Sequence, residues 1–288
     1  MSDPAATALP ADPFRRGPWS RVALIALIAY VFYACAQLEV SWERVHTGLA
    51  NALHFLGRLF PPNFSRWELL AKGLRESLEI AVLASTLGIL LALPIGLTAA
   101  RNLMPPWATW PARLIIVAAR SLHPVIVAIL FVKAVGFGAL AGILALTVAS
   151  IGFIGKLFTE AIEEISLKEV EAIRATGAPF ASVLAFGVLP QVFSRFIGFA
   201  TYQLDSNLRN STMVGIVGAG GVGGTLFAAF QRFDYDFVCA ILISIIALIM
   251  IGEVLATAVR AIFIGNATLR DIFRRGGTLP RERLLEDD

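Results

Sequence analysis

Charge is scarce in this chain. Only 16% of its 288 residues are Asp, Glu, Lys or Arg, against 57% hydrophobic. Soluble domains carry about 25% charged residues, so the composition excludes a water-soluble globular protein and points to an all-α integral membrane protein. The net charge is only +3, and basic residues sit between apolar blocks rather than in one stripe. That excludes a nucleic-acid partner. Cysteine is nearly absent: Cys35 and Cys239 lie inside apolar segments, with neither a disulfide framework nor zinc spacing. The three histidines, His46, His54 and His123, have no ligand spacing to Cys, Asp or Glu, so no metal site is expected. There is no G-x-x-x-x-G-K-[ST] phosphate loop and no catalytic constellation. An enzyme is not expected, and a membrane enzyme acting on lipids would need interfacial His/Glu or Ser/Asp clusters that are missing.

What is abundant is long apolar runs. Residues 1–18 are rich in Pro, Ala and Asp and read as a disordered cytoplasmic N-terminus. Val22–Leu38 is almost wholly apolar. Ala34-Cys35-Ala36 mimics a signal-peptidase site, but Phe32 and Tyr33 directly before it favour an uncleaved first transmembrane helix. Residues 41–60 interleave Trp42, Leu49, Leu53 and Leu56 with Arg44, His54 and Arg58, the pattern of an amphipathic helix in the interface. Together, residues 19–75 form the first helix and this interfacial segment. A core over 76–265 carries spans near Ile80–Ala100, Leu114–Val135, Ala139–Ile154, Val188–Leu208 and Phe237–Phe263, about six in all with the first. A polar loop, 156–187, interrupts them, and 266–288 is a charged cytoplasmic tail. With Arg120 set aside as intramembrane, the other lysines and arginines divide 15 to 8 in favour of both termini inside.

The polar loop is organised around a short helix. Ser166 and Glu169 have capping-box spacing at its start, and Gly177 followed by Pro179 is a stop signal. Leu167, Val170 and Ile173 form one apolar side, while Lys168, Glu171 and Arg174 point elsewhere. About ten residues of helix are marginal alone in water, so a partner must hold it.

The run Glu171-Ala172-Ile173-Arg174-Ala175-Thr176-Gly177, with Leu189-Pro190 further on, resembles the cytoplasmic loop signature of ABC-importer permeases. Ile173 stands where that signature has Ala, and Gly187 where it has Ile. Pro94 to Asn102, Arg120-Ser121, Gly155 to Glu163, Gly187 to Gln191 and Val217 to Gly221 narrow the resemblance to phosphonate permeases of this superfamily; His123-Pro124 departs from it. The resemblance implies a type I importer fold whose coupling helix docks on a separate ATPase. Ser166, Glu169, Glu171, Ala172, Arg174, Gly177, Leu189 and Pro190 are then the coupling residues. It implies two copies of that ATPase, which bind ATP and Mg while this chain binds no cofactor. It further implies an extracytoplasmic binding protein, a second permease copy as a homodimer, and the bacterial inner membrane as location.

Gly218-Ala219-Gly220-Gly221-Val222-Gly223 satisfies the dinucleotide fingerprint, but the required strand and βαβ unit are absent between membrane spans. Glycines here instead permit unwound backbone and close helix approach, so a broken or re-entrant helix is expected from Ser211 to about Ala229. Asp205 and Arg209 stand four apart, beside Asn207, Asn210, Ser211 and Thr212. Intramembrane ionisable groups are functional candidates. One reading is a self-neutralising helical pair. The other is an anion pathway in which Arg209, these polar side chains and the Gly218, Gly220 and Gly221 backbone meet a phosphonate or phosphate oxyanion. Arg120 and Glu253, at similar depth, are read as an intramembrane ion pair, with each other or with a neighbour, rather than as substrate contacts. A secondary transporter driven by protons or sodium is the rival class, with Asp205 and Glu253 as its only candidate carboxylates.

Overall fold

The computed structural model describes residues 18–37 and 41–264. The expected N-terminal segment and charged tail lie outside the described residues, apart from Pro18. The described residues up to Arg58 form one compact unit and those from Leu59 another.

The first unit holds α1 (Pro18–Gln37) and most of α2 (Trp42–Leu59). α1 is apolar on all sides, as a lipid-immersed span must be, and α2 is amphipathic.

The second unit is wholly helical among the described residues. α3 (Trp67–Ala99) begins three turns earlier than its apolar run suggests, and the domain boundary expected at residue 75 falls inside it. Within its polar first turns Arg75 and Glu79 pair at 2.8 Å one turn apart, a small contribution to the helix. α4 (Pro106–Ser121) and α5 (Pro124–Val135) replace the expected continuous third span, with a bend of 93° between them. Proline lacks an N–H and pushes the residue before it out of the helical region. Leu122 and His123 are accordingly extended, and His123 Nδ1 caps α5 by accepting from Val125 N–H at 3.3 Å. α6 (Ala139–Glu163) runs on through Lys156–Glu163, which the sequence pattern places in the loop. A Lys156–Glu160 pair of 2.6 Å bridges that last stretch.

α7 (Leu167–Ala175) is the short polar helix. α8 (Phe180–Val183) passes through a wide π turn, Leu184–Val188, into α9 (Leu189–Ile216). The chain then breaks at 217–221, continues as α10 (Val222–Gln231), and ends in α11 (Tyr235–Ile264). Among the described residues five helices are long and apolar enough to cross a membrane, or six if α4 and α5 count as one broken span.

Lipid is as apolar as a leucine side chain, so packing rather than water exclusion holds such helices together, and small residues set the contact. Ala84, Gly88, Ala92 and Gly96 recur every fourth residue along α3, all buried. They lie against α6, where Thr159 Oγ1 donates to Gly96 O at 3.1 Å. One apolar core joins Ile80, Ala84, Val132, Leu146 and Val214. A second joins Phe158, Ile162, Val170, Val183 and Val192 at the α7 end.

Candidate coupling helix and anion pathway

At the α7 end, Val170 is buried and Ile173 half-buried against the second core, while Lys168, Glu169, Glu171, Ala172 and Arg174 are exposed. The approach is close: a Cβ on Gly187 would stand 3.2 Å from Ile173 Cδ1 and 3.4 Å from Val170 Cα. A side chain at 187 would require the Ile173 side chain to shift by a few tenths of an ångström.

The expected stop signal is present. Gly177 has φ +74°, and its N–H donates to Arg174 O at 3.0 Å. The expected capping box is not. Ser166 occupies the N-cap with extended backbone, yet its side chain makes no capping bond. The backbone of Ser166 is held instead by Gln191: Ser166 N–H donates to Gln191 Oε1 at 2.9 Å, and Gln191 Nε2 donates to Ser166 O at 3.3 Å. The N–H that Glu169 would have reached is therefore already engaged. Gln191 Nε2 also donates to Gly187 O at 2.6 Å, in the π turn that precedes Pro190. Arg195 adds an ion pair to Glu164 at 2.5 Å. Leu189 is half-exposed and Pro190 exposed, both in the first turn of α9.

Two further ties close this end. Glu163 Oε1 accepts from Arg113 at 2.6 Å and from Arg101 N–H at 2.8 Å, and Arg113 Nε donates to Ala99 O at 3.0 Å. Asn102 Nδ2 donates to Ile162 O at 2.7 Å. The ends of α3 and α6 are thus laced to α4.

Along α9, Asp205 and Arg209 form the expected i,i+4 pair at 2.6 Å. Asp205 is 9% exposed and lines a cavity of about 390 Å³ between α3, α9 and α11; its Oδ1 is buried without a hydrogen-bond partner. Arg209 is 43% exposed at the side chain. Asn210 is half-buried and meets Ser206 at 3.4 Å; Ser211 is buried and donates to Leu208 O at 2.7 Å; Thr212 is half-buried.

Asn207 is placed differently from its neighbours. It is fully buried, with Nδ2 donating to Ser85 Oγ at 2.9 Å and Ser150 Oγ at 2.8 Å. Gln203 Nε2 joins it, donating to Asn207 Oδ1 at 3.0 Å and Ser150 Oγ at 2.9 Å. Asn207 thus ties α9 to α3 and α6 rather than facing an open path. Gln203, four residues before Asn207, is the signal in the sequence that would have shown this network, together with Ser85 and Ser150 in otherwise apolar runs.

The broken helix is observed, with the break later than Ser211. Gly218, Gly220 and Gly221 all have positive φ, between +81° and +91°, which only glycine adopts freely. The turn is stitched to two elements: Gly138 N–H donates to Gly218 O at 3.0 Å, and Val222 N–H donates to Ser77 Oγ at 2.9 Å. The first N–H of α10 is therefore engaged by α3. At this same end Arg66 pairs with Asp234 at 3.0 Å and Asn63 Nδ2 donates to Asp236 at 2.9 Å, joining the starts of α3 and α11.

Arg120 and Glu253 are not paired. Both are exposed, none of the ion pairs among the described residues joins them, and the stem of Arg120 packs at Gly152 of α6. The break at Leu122–His123 ends α4 just after Arg120, while Glu253 lies on α11, which packs against α9 and α10. No group of three or more His, Cys, Asp or Glu suited to a metal occurs among the described residues.

Residues 92–264, more than half of the chain, match the family of binding-protein-dependent transport system inner membrane components. The chain belongs to this family. It is a transport component and not a catalytic subunit. Among relatives of this inner membrane component, the phosphate-import permease protein PhnE of Mycolicibacterium smegmatis is 36% identical over 257 residues, covering 87% of this chain. The match covers 48% of that protein, so the chain spans about half its length. The phosphite transport system permease protein PtxC of Stutzerimonas stutzeri is 36% identical over 253 residues, covering 87% of this chain and 92% of that one. In an inward-facing structure of the MetNI methionine ABC transporter, a chain superposes with TM-score 0.57 and 25% identity, over 68% of this chain and 99% of that one. The type I ABC-importer permease fold expected from the loop signature is the observed one.

Proposed function

We propose that this chain is the membrane-spanning permease of an ATP-driven importer for phosphonate or a related oxyanion, phosphite or phosphate. The observation that carries the reading is α7. A nine-residue helix is too short to persist on its own propensity, yet this one is fastened by Val170 and Gln191 and leaves Glu171, Ala172 and Arg174 free. A fastened helix with an open polar face suits docking by another protein. The partner is an ATPase, two copies per transporter, which binds ATP and Mg; this chain needs no cofactor. The names of the phosphate- and phosphite-transporting relatives support the oxyanion.

Solute would pass along α9. Tyr202, Ser206, Arg209, Asn210 and Met213 follow one another at helical spacing, and each is exposed or half-exposed. A polar stripe at membrane depth must meet water or another protein, not lipid. A second copy of this chain, related by two-fold symmetry, would enclose that stripe as a path. Closure of the ATPase dimer on ATP draws the two α7 helices together. The motion passes through Gln191 to α9, and the path opens toward an extracytoplasmic binding protein that releases its anion. Arg209 then offers the anion a charge-assisted contact. The excess of basic residues on the α7 side supports both termini in the cytoplasm.

The test is reconstitution of the chain with its ATPase and binding protein in liposomes. Uptake of labelled phosphonate, phosphite or phosphate is expected only with all three and ATP. Uptake by this chain alone, driven by a proton or sodium gradient, overturns the reading.

A further inference from the structure

A second cavity, of about 420 Å³ and mixed lining, lies between α4 and α6, near the α7 end and away from the α9 stripe. Its upper wall is cationic: Arg101, Arg113 and Lys156 line it, with Glu160 and Glu163. The carboxylates are already matched, Glu160 by Lys156 at 2.6 Å and Glu163 by Arg113 at 2.6 Å. Three cations against two carboxylates leave one net positive charge. The Arg101 guanidinium is exposed and takes no part in the hydrogen bonds or ion pairs of the described residues.

The lower wall is apolar. Leu114, Ile116 and Val117 form it, and Trp110 stands at its rim. Trp107, Trp110, Leu114 and Val117 recur at helical spacing along one face of α4, exposed by 80%, 72%, 54% and 63%. Two exposed tryptophans followed by exposed aliphatics mark a helix that passes from the membrane interface into the hydrocarbon, since indole prefers headgroup depth. The cavity therefore has its charged half at headgroup level and its greasy half at acyl-chain level.

We infer that this cavity binds an anionic phospholipid, its phosphate on Arg101 and Lys156 and an acyl chain along Leu114 and Val117. A basic pocket between transmembrane helices is suited to such headgroups. A free phosphate ion would find the same cations but would gain nothing from the apolar wall. The occupant would bridge α4 to the end of α6, alongside the Arg113–Glu163 tie that already joins them. This inference does not depend on what the transporter carries.

The experiment uses the full chain, purified with whatever subunits accompany it, in nanodiscs and in detergent. Native mass spectrometry and thermal unfolding are followed with phosphatidylglycerol or phosphatidylcholine added, for the wild type and for Arg101→Gln/Lys156→Gln. Both positions are on the surface, and Arg113 is left in place. The expected result is retained phosphatidylglycerol with a raised Tm, little effect of phosphatidylcholine, and roughly fivefold weaker retention per cation removed. Excess inorganic phosphate or glycerol phosphate should not displace the lipid. Equal retention of both lipids, equal retention by the double variant, or displacement by free phosphate each overturns the assignment. The last result identifies the cavity as a site for a soluble anion.

Discussion

The side-chain amide of Gln191 holds the backbone of Ser166 by both its N–H and its carbonyl, at 2.9 Å and 3.3 Å. Residues on two separate elements are thereby joined, the entry to α7 and the first turn of α9. Only one side chain of α7, Val170, is fully buried, so this amide is a large part of what ties the helix to the bundle. Gln191→Leu removes all three Gln191 bonds, worth about 0.5–1.5 kcal/mol each. The expected outcome is an intact complex that hydrolyses ATP but moves fewer solute molecules per ATP. Measuring uptake and phosphate release in the same liposomes gives that ratio, and Gln191→Glu, whose carboxylate cannot donate to Gly187 O or Ser166 O, should not restore it. An unchanged ratio would show that α7 moves α9 through packing alone.

Gly177 occupies a left-handed turn at φ +74°, with open space where a side chain would go. Substitution by Val therefore costs conformational energy, on the order of 1–2 kcal/mol, without a clash. The end of α7 should unravel and present Glu171 and Arg174 wrongly. ATPase recovered by affinity purification of Gly177→Val is expected to fall about tenfold, the equivalent of roughly 1.4 kcal/mol. Gly198→Ala, also in open space but within the helical α9, is the control and should leave recovery unchanged.

Arg209→Gln leaves the Asp205 carboxylate buried and unpaired. Removing one partner of a buried pair costs about 3–5 kcal/mol, and half-exposure of Arg209 places the effect toward the lower end. Thermal unfolding of the purified complex should show the loss, and Asp205→Asn/Arg209→Gln should recover most of it. Uptake separates structure from solute contact. If Arg209 meets the anion, the double variant is stable yet transports poorly; if it transports normally, the pair only holds the helix.

Asn207→Leu removes two side-chain bonds to Ser85 and Ser150 and one from Gln203. Hydrogen bonds between membrane helices are worth about 0.6 kcal/mol each, rarely above 1.7. The expected loss is therefore about 1–3 kcal/mol, seen as a lower Tm in detergent, with ATPase binding unaffected because α7 lies elsewhere.

Residues that act through local chain geometry could be read from the sequence. Gly177 and Pro179 stop a helix whatever surrounds them, Asp205 and Arg209 pair because four residues make one turn, and the glycine run at 218–221 breaks a span because little else tolerates positive φ. Long apolar runs likewise marked most of the spanning helices. Periodicity misjudged where polarity entered a helix: Lys156–Glu163 looks like loop by composition and Lys72–Glu79 lies before the apolar run, yet both are helical, each with an ion pair one turn apart.

What the sequence by itself determined is a helical membrane protein with one short, water-facing helix between spans and a charged pair inside one of them. The tertiary structure alone decided which groups complete each other across the bundle. Ser166 and Gln191 are 25 residues apart and Asn207 and Ser85 are 122 apart, so no local pattern links them. A buried amide has no preference for one hydroxyl or carbonyl over another until packing brings a particular one within 3 Å. For the same reason Arg120 and Glu253, opposite in charge and expected at similar depth, do not meet: the break before Pro124 and the packing of α11 on α9 and α10 keep each beside other neighbours.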